Sequence, residues 1–247
     1  MHGYFALLAL PGVKRFWAAG FLARFPNAMM GMAVTVLISG LYRQYSLAGK
    51  VSATMAIASA IGAPLIARLI DRHGQSRVGR PVLGMLTLSA ALLTLFALLR
   101  LPQWTLIVAG ALTGGLGLQF GTLVRTRWNG LLNDYARIHR AFSLESVADD
   151  ICFVIAPSVA AALGTSVAPA SAMFVAVALL LVGGFLFLAQ RDTEPTPSPR
   201  QPGMGAHPAA TALASAPVAV AFIAVGVIFG ANSIAMVAMC EALGAKW

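Results

Sequence analysis

The sequence predicts an all-α fold, a polytopic bundle of transmembrane helices. Three observations predict it. Hydrophobic residues make up 59% of the 247-residue chain and charged residues only 10%, whereas a soluble domain covers its surface with ~25% charge. The apolar residues gather in runs of roughly 20, enough to cross a hydrocarbon core of ~30 Å as helix. Those runs lack the alternating pattern of an outer-membrane barrel strand. The first partner implied is the lipid bilayer.

The elements follow in order. The opening MHGYFALLALPGVKRFW has a short apolar patch with no basic flank before it and no small-residue cleavage site behind it. It is expected to be an amphipathic, surface-lying lead-in and not a signal peptide. The first span covers residues 16–41 and holds one charge, Arg24. The second covers 51–69, and the third 81–99, between Arg80 and Arg100. The fourth covers 101–124 and ends at Arg125. The fifth, 142–163, carries Glu145, Asp149 and Asp150 in its first half; the turn-forming GTSVAPAS separates it from the sixth, 168–189. The stretch QRDTEPTPSPRQPGMGAHP comes next. Its Pro, Ser and Gly oppose a helix and predict a flexible linker. A seventh span is expected at 216–240. The domain organisation is then 1–189 as a six-helix half, 190–215 as a cytoplasmic linker, and 216–247 as the seventh helix of an incomplete second half.

Charge sets the orientation. The net charge is +9, from 17 Lys and Arg against 8 Asp and Glu. With the N-terminus inside, twelve of the basic residues fall on inner segments and four on outer ones, with Arg24 inside the first span. That bias in short loops predicts a multi-pass protein of the cytoplasmic (inner) membrane with a cytoplasmic N-terminus. No basic run is interleaved with aromatics, so nucleic acid is excluded as a partner.

Metal and enzyme chemistry find no footing either. Cys152 and Cys240 lie in apolar stretches without metal-ligand spacing, and the four His are scattered. No metal site, no cofactor and no catalytic residue is expected. The motifs of a membrane protease, G-x-G-D, H-E-x-x-H or G-x-S-x-G, do not occur. Nothing resembles a channel filter loop.

The loop between the second and third spans reads ARLIDRHGQSRVGRP. Asp71, Arg72, Gly74 and Arg77 have physical uses there. A tight reversal between two spans favours Gly74, which accepts backbone angles closed to other residues. Asp71 can accept hydrogen bonds from loop N–H groups and pair with Arg72 or Arg77. The plainer reading is a solvated basic turn that obeys the positive-inside rule. A lone acid among basic residues serves that rule no purpose, so Asp71 is expected to have a further role. In motif and position the loop resembles the signature of the major facilitator superfamily, G-x-L-a-D-R-x-G-R-K. Leu69, Asp71, Arg72 and Gly74 match. Ala67 replaces the first Gly, Gln75-Ser76 replaces the basic pair, and Arg77 follows one place late. Six spans, a polar linker and further spans also match that family's plan of two six-helix halves facing a central path. The opening PGVKRFWAAGFLARFPNAMMGM and the linker start QRDTEPTPSP are similar to a bacterial, actinobacterial-like group within the family. The resemblance implies secondary transport of a small-molecule substrate by alternating access. It also implies that Asp71, beside a helix of the other half, holds the cytoplasmic side shut.

Charges inside the spans name the second candidate site. An arginine near the bilayer centre costs at least ~2.5 kcal/mol on insertion scales, so Arg24 should face the bundle interior. Glu145 and Asp149 are four apart and share a helix face, while Asp150 points ~100° away. Arg24, Glu145, Asp149 and Asp150 are therefore candidate substrate or proton-path residues, with protons as a candidate coupling partner. The alternative is an interfacial Glu145 with structural ion pairs tying the first span to the fifth.

Small residues supply the remaining patterns. CFVIAPSVAAALG resembles the antiporter signature G-x-x-x-G-P-x-x-G-G, with Pro157 kept and Cys152, Ala156, Ala160 and Ala161 as small residues in place of its glycines; close helix packing explains the pattern without a transport role. In ALTGGLG, Ala111 and Gly114 stand where drug exporters of the family carry Arg and Gln. Gly110, Gly114, Gly115, Gly117 and Gly121 form a small-residue face suited to packing or to lining a path. Asn232 and Glu241 are further polar candidates in the seventh span. The expectation is a transporter, proton-coupled and exporting, truncated after its seventh span. The alternatives are a half-transporter acting as a homodimer and a non-transporting membrane fragment.

Overall fold

The computed structural model describes residues 7–197 and, beyond them, only Pro217, Val220, Ala221 and Ala224. Apart from those four residues, the expected seventh span, with Asn232 and Cys240, lies outside the described residues, as does Glu241. Seven α-helices build the described part: α1 (Val13–Tyr42), α2 (Tyr45–His73), α3 (Gln75–Leu98), α4 (Gln103–Gly115), α5 (Phe120–Leu131), α6 (Tyr135–Ser166) and α7 (Ser171–Ala189). They supply six spans long and apolar enough to cross a membrane, because α4 and α5 together make one. No strand occurs among the described residues.

Several helices outrun their apolar cores. Asp134 caps α6, its side chain accepting from the N–H of Ala136 at 3.1 Å, so this helix starts at Tyr135 rather than near residue 142. That gain is ordinary N-cap chemistry, which an apolar count does not register. α3 starts at Gln75, not near 81, because Gln75 and Ser76 are buried among polar partners. Of the lead-in, residues from Leu7 on are described: Leu7 is 4% exposed and joins Phe16, Val13 and Leu188 in the apolar core, while Ala9, Pro11 and Gly12 are exposed.

The fourth span is not one helix. α4 stops at Gly115 and α5 begins at Phe120, leaving 116–119 non-helical. The segment GGLGLQ supplies three glycines, each ~1 kcal/mol poorer than alanine in a helix. Non-helical backbone at this depth needs internal partners. Asn27 on α1 supplies one, its Nδ2 donating to the carbonyl of Leu118 at 2.9 Å.

Buried apolar residues fall into two clusters along the bundle. One, around Phe16, Phe120, Trp128 and Phe187, fills the end where α1 begins. The other, around Leu37, Leu47, Leu93, Leu106 and Met173, fills the opposite end. Small residues let the backbones meet between and beside them. A Cβ on Gly114 would strike the carbonyl of Met55, and one on Gly62 the carbonyl of Gly115, so α2 and α4 touch backbone to backbone. The glycines of the fourth span thus serve packing along α4. On α6, Cys152, Ala156, Ala160 and Gly164 form the buried stripe, and a Cβ on Gly164 would strike Val36 of α1. Pro157 and Ala161 flank that stripe, half-buried, and α6 continues through Pro157.

Substitution at these contacts is expected to separate packing from propensity. Gly114→Ala should destabilise the protein by about 1–3 kcal/mol through overpacking. Gly84→Ala, where an added Cβ meets nothing within 4 Å, should leave the detergent melting temperature unchanged or raise it. A G114A melt equal to wild type would contradict the contact.

Candidate functional site

A polar constellation sits between the two apolar clusters, and Arg24 is its centre. The residue is 5% exposed. Its Nη2 donates to Glu145 Oε2, and its Nη1 donates to Asp149 Oδ1 at 3.0 Å. Arg125 of α5 approaches the other oxygen of Asp149, Nη2 to Oδ2 at 2.6 Å. Trp128, also on α5, donates from Nε1 to Glu145 Oε1 at 2.7 Å. The four charges sum to zero, which is the arrangement a low-dielectric interior requires.

Helix geometry explains why these residues meet. Glu145 and Asp149 stand one turn apart on α6, and Arg125 and Trp128 stand three apart on α5, so each pair shares a face. Gly121, one turn before Arg125, keeps the centre open: a Cβ there would lie 3.2 Å from Arg125 Nη1, 3.4 Å from Asp149 Oδ1 and 3.7 Å from Arg24 Nε. Arg24 Nε is buried with no partner among the described residues.

The two acids differ in environment. Glu145 is fully buried with both oxygens engaged, which sets aside an interfacial position for it. Asp149 is 26% exposed and bridges two arginines. Asp150 lies apart, exposed on another face of α6. Three of the four candidate path residues are therefore brought together, and Asp150 is not among them.

A second buried arginine went unnoticed in the sequence. Arg127 is 0% exposed. Its Nε donates to Gln75 Oε1 at 2.9 Å, Nη1 to Thr193 Oγ1 at 3.0 Å and Nη2 to the carbonyl of Phe187 at 3.2 Å. Its guanidinium also lies 3.9 Å from the ring centre of Phe187, a cation–π contact. All its partners are neutral. It reads in sequence as one more basic residue at a span end; what marks it is the pairing R-x-R, which puts Arg125 and Arg127 on different faces.

The turn between α2 and α3 surrounds this centre. Gly74 ends α2 and precedes α3 with φ 97°, the conformation for which glycine was expected. Gln75 and Ser76, where the family signature has a basic pair, are buried and bonded. Gln75 Nε2 donates to the Leu123 carbonyl at 3.1 Å, and Ser76 Oγ donates to the Leu188 carbonyl at 3.0 Å. Glu194 reaches the start of α3, accepting from Ser76 N at 2.7 Å and from Ser76 Oγ. Carboxylate at a helix N-terminus is favourable twice over, by hydrogen bond and by dipole. Residues 190–197, expected as the start of a linker, therefore pack on the turn, and Thr193 is 8% exposed. Asp71, Arg72 and Arg77 are exposed, and no ion pair joins them to each other. A cavity of about 430 Å³ opens between Asp71, Gly74, Gln75, Asn129, Gly130 and Pro195.

Among the described residues no group of His, Cys, Asp and Glu is placed to hold a metal ion. The profile of one protein family, described as Major Facilitator Superfamily, matches residues 16–246. That match does not extend to any bacterial subgroup. Neither the curated proteins nor the solved structures give a match.

The buried pair should show in stability. Glu145→Gln removes the fully buried anion opposite Arg24 and is expected to cost about 3–5 kcal/mol. R24M/E145L, which removes both charges, should recover most of that loss in thermal unfolding. Equal losses in the single and double variants would show that the two charges do not compensate one another.

Proposed function

This chain belongs to the major facilitator superfamily and is a multi-pass membrane transporter; within that frame we propose proton-coupled export of a small solute by alternating access. The observation that carries the reading is Asp149. It combines partial exposure with two arginine partners, at 3.0 and 2.6 Å. An intramembrane ionisable residue of this kind is a functional candidate by default.

The mechanism follows from the pairing. A proton arriving at Asp149 neutralises the carboxylate and loosens its hold on Arg24 and Arg125. Arg24 stays anchored by Glu145, whose position Trp128 fixes, so α1 keeps one tie to α6 while the Arg125 bridge between α5 and α6 is released. Loss of the proton restores both bridges. An element with two arrangements, selected by one proton, is what coupling requires. A solute that draws on Asp149 or on its arginines leaves as the proton arrives, which gives exchange and hence efflux. The small-residue run with Pro157 supports this only as packing.

Orientation and gating complete the proposal. We assign the end bearing Lys14, Arg15, Arg72, Arg77, Arg80, Arg137 and Arg140 to the cytoplasm on the excess of basic residues there. Asp71, Arg72 and Arg77 around buried Gly74 then face the cytoplasm as the gating turn, free to meet the other half.

Trp128 offers a direct test, because its indole bonds Glu145. In a W17F/W104F/W247F background, its fluorescence should titrate with pH in one step. Asp149→Asn should remove that step, and Asp150→Asn should keep it. In proteoliposomes with a pH gradient, D149N should also abolish gradient collapse on addition of exported solutes. A titration unaltered in D149N would sink the assignment of the proton to Asp149.

A further inference from the structure

We propose that a cavity between the start of α3 and the end of α7 binds the phosphodiester headgroup of an anionic phospholipid. The cavity measures about 560 Å³ and is lined by Ser76, Arg77, Arg80, Pro81, Arg191 and Glu194. It is separate from the Asp149 constellation, and it shares only Arg77 with the gating turn.

Charge is the first argument. Three arginines face one carboxylate, and that carboxylate is already committed to Ser76 N and Oγ at the start of α3. None of the three arginines forms an ion pair among the described residues. Arg80 is held in place by the Leu188 carbonyl, to which Nε and Nη2 donate at 3.3 and 3.1 Å. Arg77 and Arg191 are exposed on either side. Guanidinium groups present forked N–H donors that match the paired oxygens of a phosphate or a carboxylate, so the uncommitted charge here favours an oxyanion over chloride, and a phosphate has enough oxygens to meet more than one of the three arginines.

The surroundings decide between a lipid and a free anion. α3 and α7 pack closely where the cavity lies: a Cβ on Gly79 would come 2.7 Å from Leu188 Cδ2. From the cavity both helices run on as apolar spans. On α3 the face of Arg77 and Pro81 continues through Met85 and Leu88, 49% and 60% exposed. On α7, Phe185, Val182 and Leu181 are similarly exposed. A soluble phosphate has no use for that apolar track. A phospholipid has, because its acyl chains lie along it while the headgroup enters the arginine cavity. Basic pockets between spans at one membrane face are suited to anionic headgroups for this reason.

The test uses the full chain in neutral detergent, titrated with phosphatidylglycerol or phosphatidylcholine and read by native mass spectrometry. One phosphatidylglycerol should be retained about tenfold more tightly than phosphatidylcholine, and R77Q/R191Q should abolish that preference. R43Q/R100Q, at the opposite end of the bundle, should keep it. Inorganic phosphate should fail to displace the lipid. Equal retention of the two lipids, or a preference that survives R77Q/R191Q, overturns the proposal. So does an equal loss in R43Q/R100Q, which would mean diffuse charge attraction. Displacement by inorganic phosphate at lipid concentrations would show a free-anion site instead.

Discussion

Everything in the middle of this bundle is arranged around the need to keep the guanidinium of Arg24 paired. It stands on α1 between two apolar clusters, where an unpaired charge would cost several kcal/mol. Glu145 and Asp149 come from α6 to meet it, and Arg125 and Trp128 come from α5 to occupy the remaining carboxylate oxygens. α1 and the consecutive pair α5 and α6, far from it in sequence, are thereby fixed in rotation about their own axes. Apolar packing alone would not do this, because smooth stripes of alanine and glycine, such as the α6 stripe of Cys152, Ala156 and Ala160, tolerate sliding. The charges supply the register and the small residues supply the closeness.

The break in the fourth span belongs to the same arrangement. α4 lies backbone to backbone on α2 through Gly114 and Gly62, while α5 must carry Gly121, Arg125 and Trp128 to the charges. One continuous helix would have to satisfy both contacts with a single rotation and tilt. The non-helical 116–119 segment lets the two pieces differ, and Asn27 on α1 donates to the carbonyl of buried Leu118 in that break. Arg127, two residues past Arg125, then turns to the opposite task. It ties Gln75, Phe187 and Thr193 together at the end where α1 begins. With Ser76 and Arg80 it caps the last carbonyls of α7, groups that a helix end leaves without internal partners. Arg125 and Arg127 divide the work: one borders the partly exposed carboxylate of Asp149, and the other locks the end.

The departures from the family signature acquire a meaning in this setting. Where a basic pair is usual, Gln75 and Ser76 are neutral, small enough to be buried, and able both to donate and to accept. Gln75 accepts from Arg127 and donates to Leu123, so a second cation there would meet Arg127 directly. Glu194 takes the place of any further charge by capping α3. Asp71, Arg72 and Arg77 remain exposed at the rim, with their charges uncommitted to the interior.

Composition and periodicity by themselves determined the helical membrane class, the positions of the six spans within 7–197, the need for glycine at position 74 and the inward direction of Arg24. Each is a local or one-dimensional property: hydropathy over some 20 residues, one backbone conformation, or the cost of a charge in lipid. Only the tertiary structure decided which acid meets which arginine. A spacing of four puts Glu145 and Asp149 on one face but says nothing of the helix opposite, and it cannot distinguish the buried acid from the half-exposed one. Arg127 was invisible for a related reason: its partners, Gln75, Thr193 and a backbone carbonyl, are neutral and lie 52 to 66 residues away. The unwinding at 116–119 and the docking of 190–197 are likewise settlements between contacts made from different directions. Pairwise contacts across the bundle arise from the rotation and tilt of whole helices, and no local window of sequence contains that information.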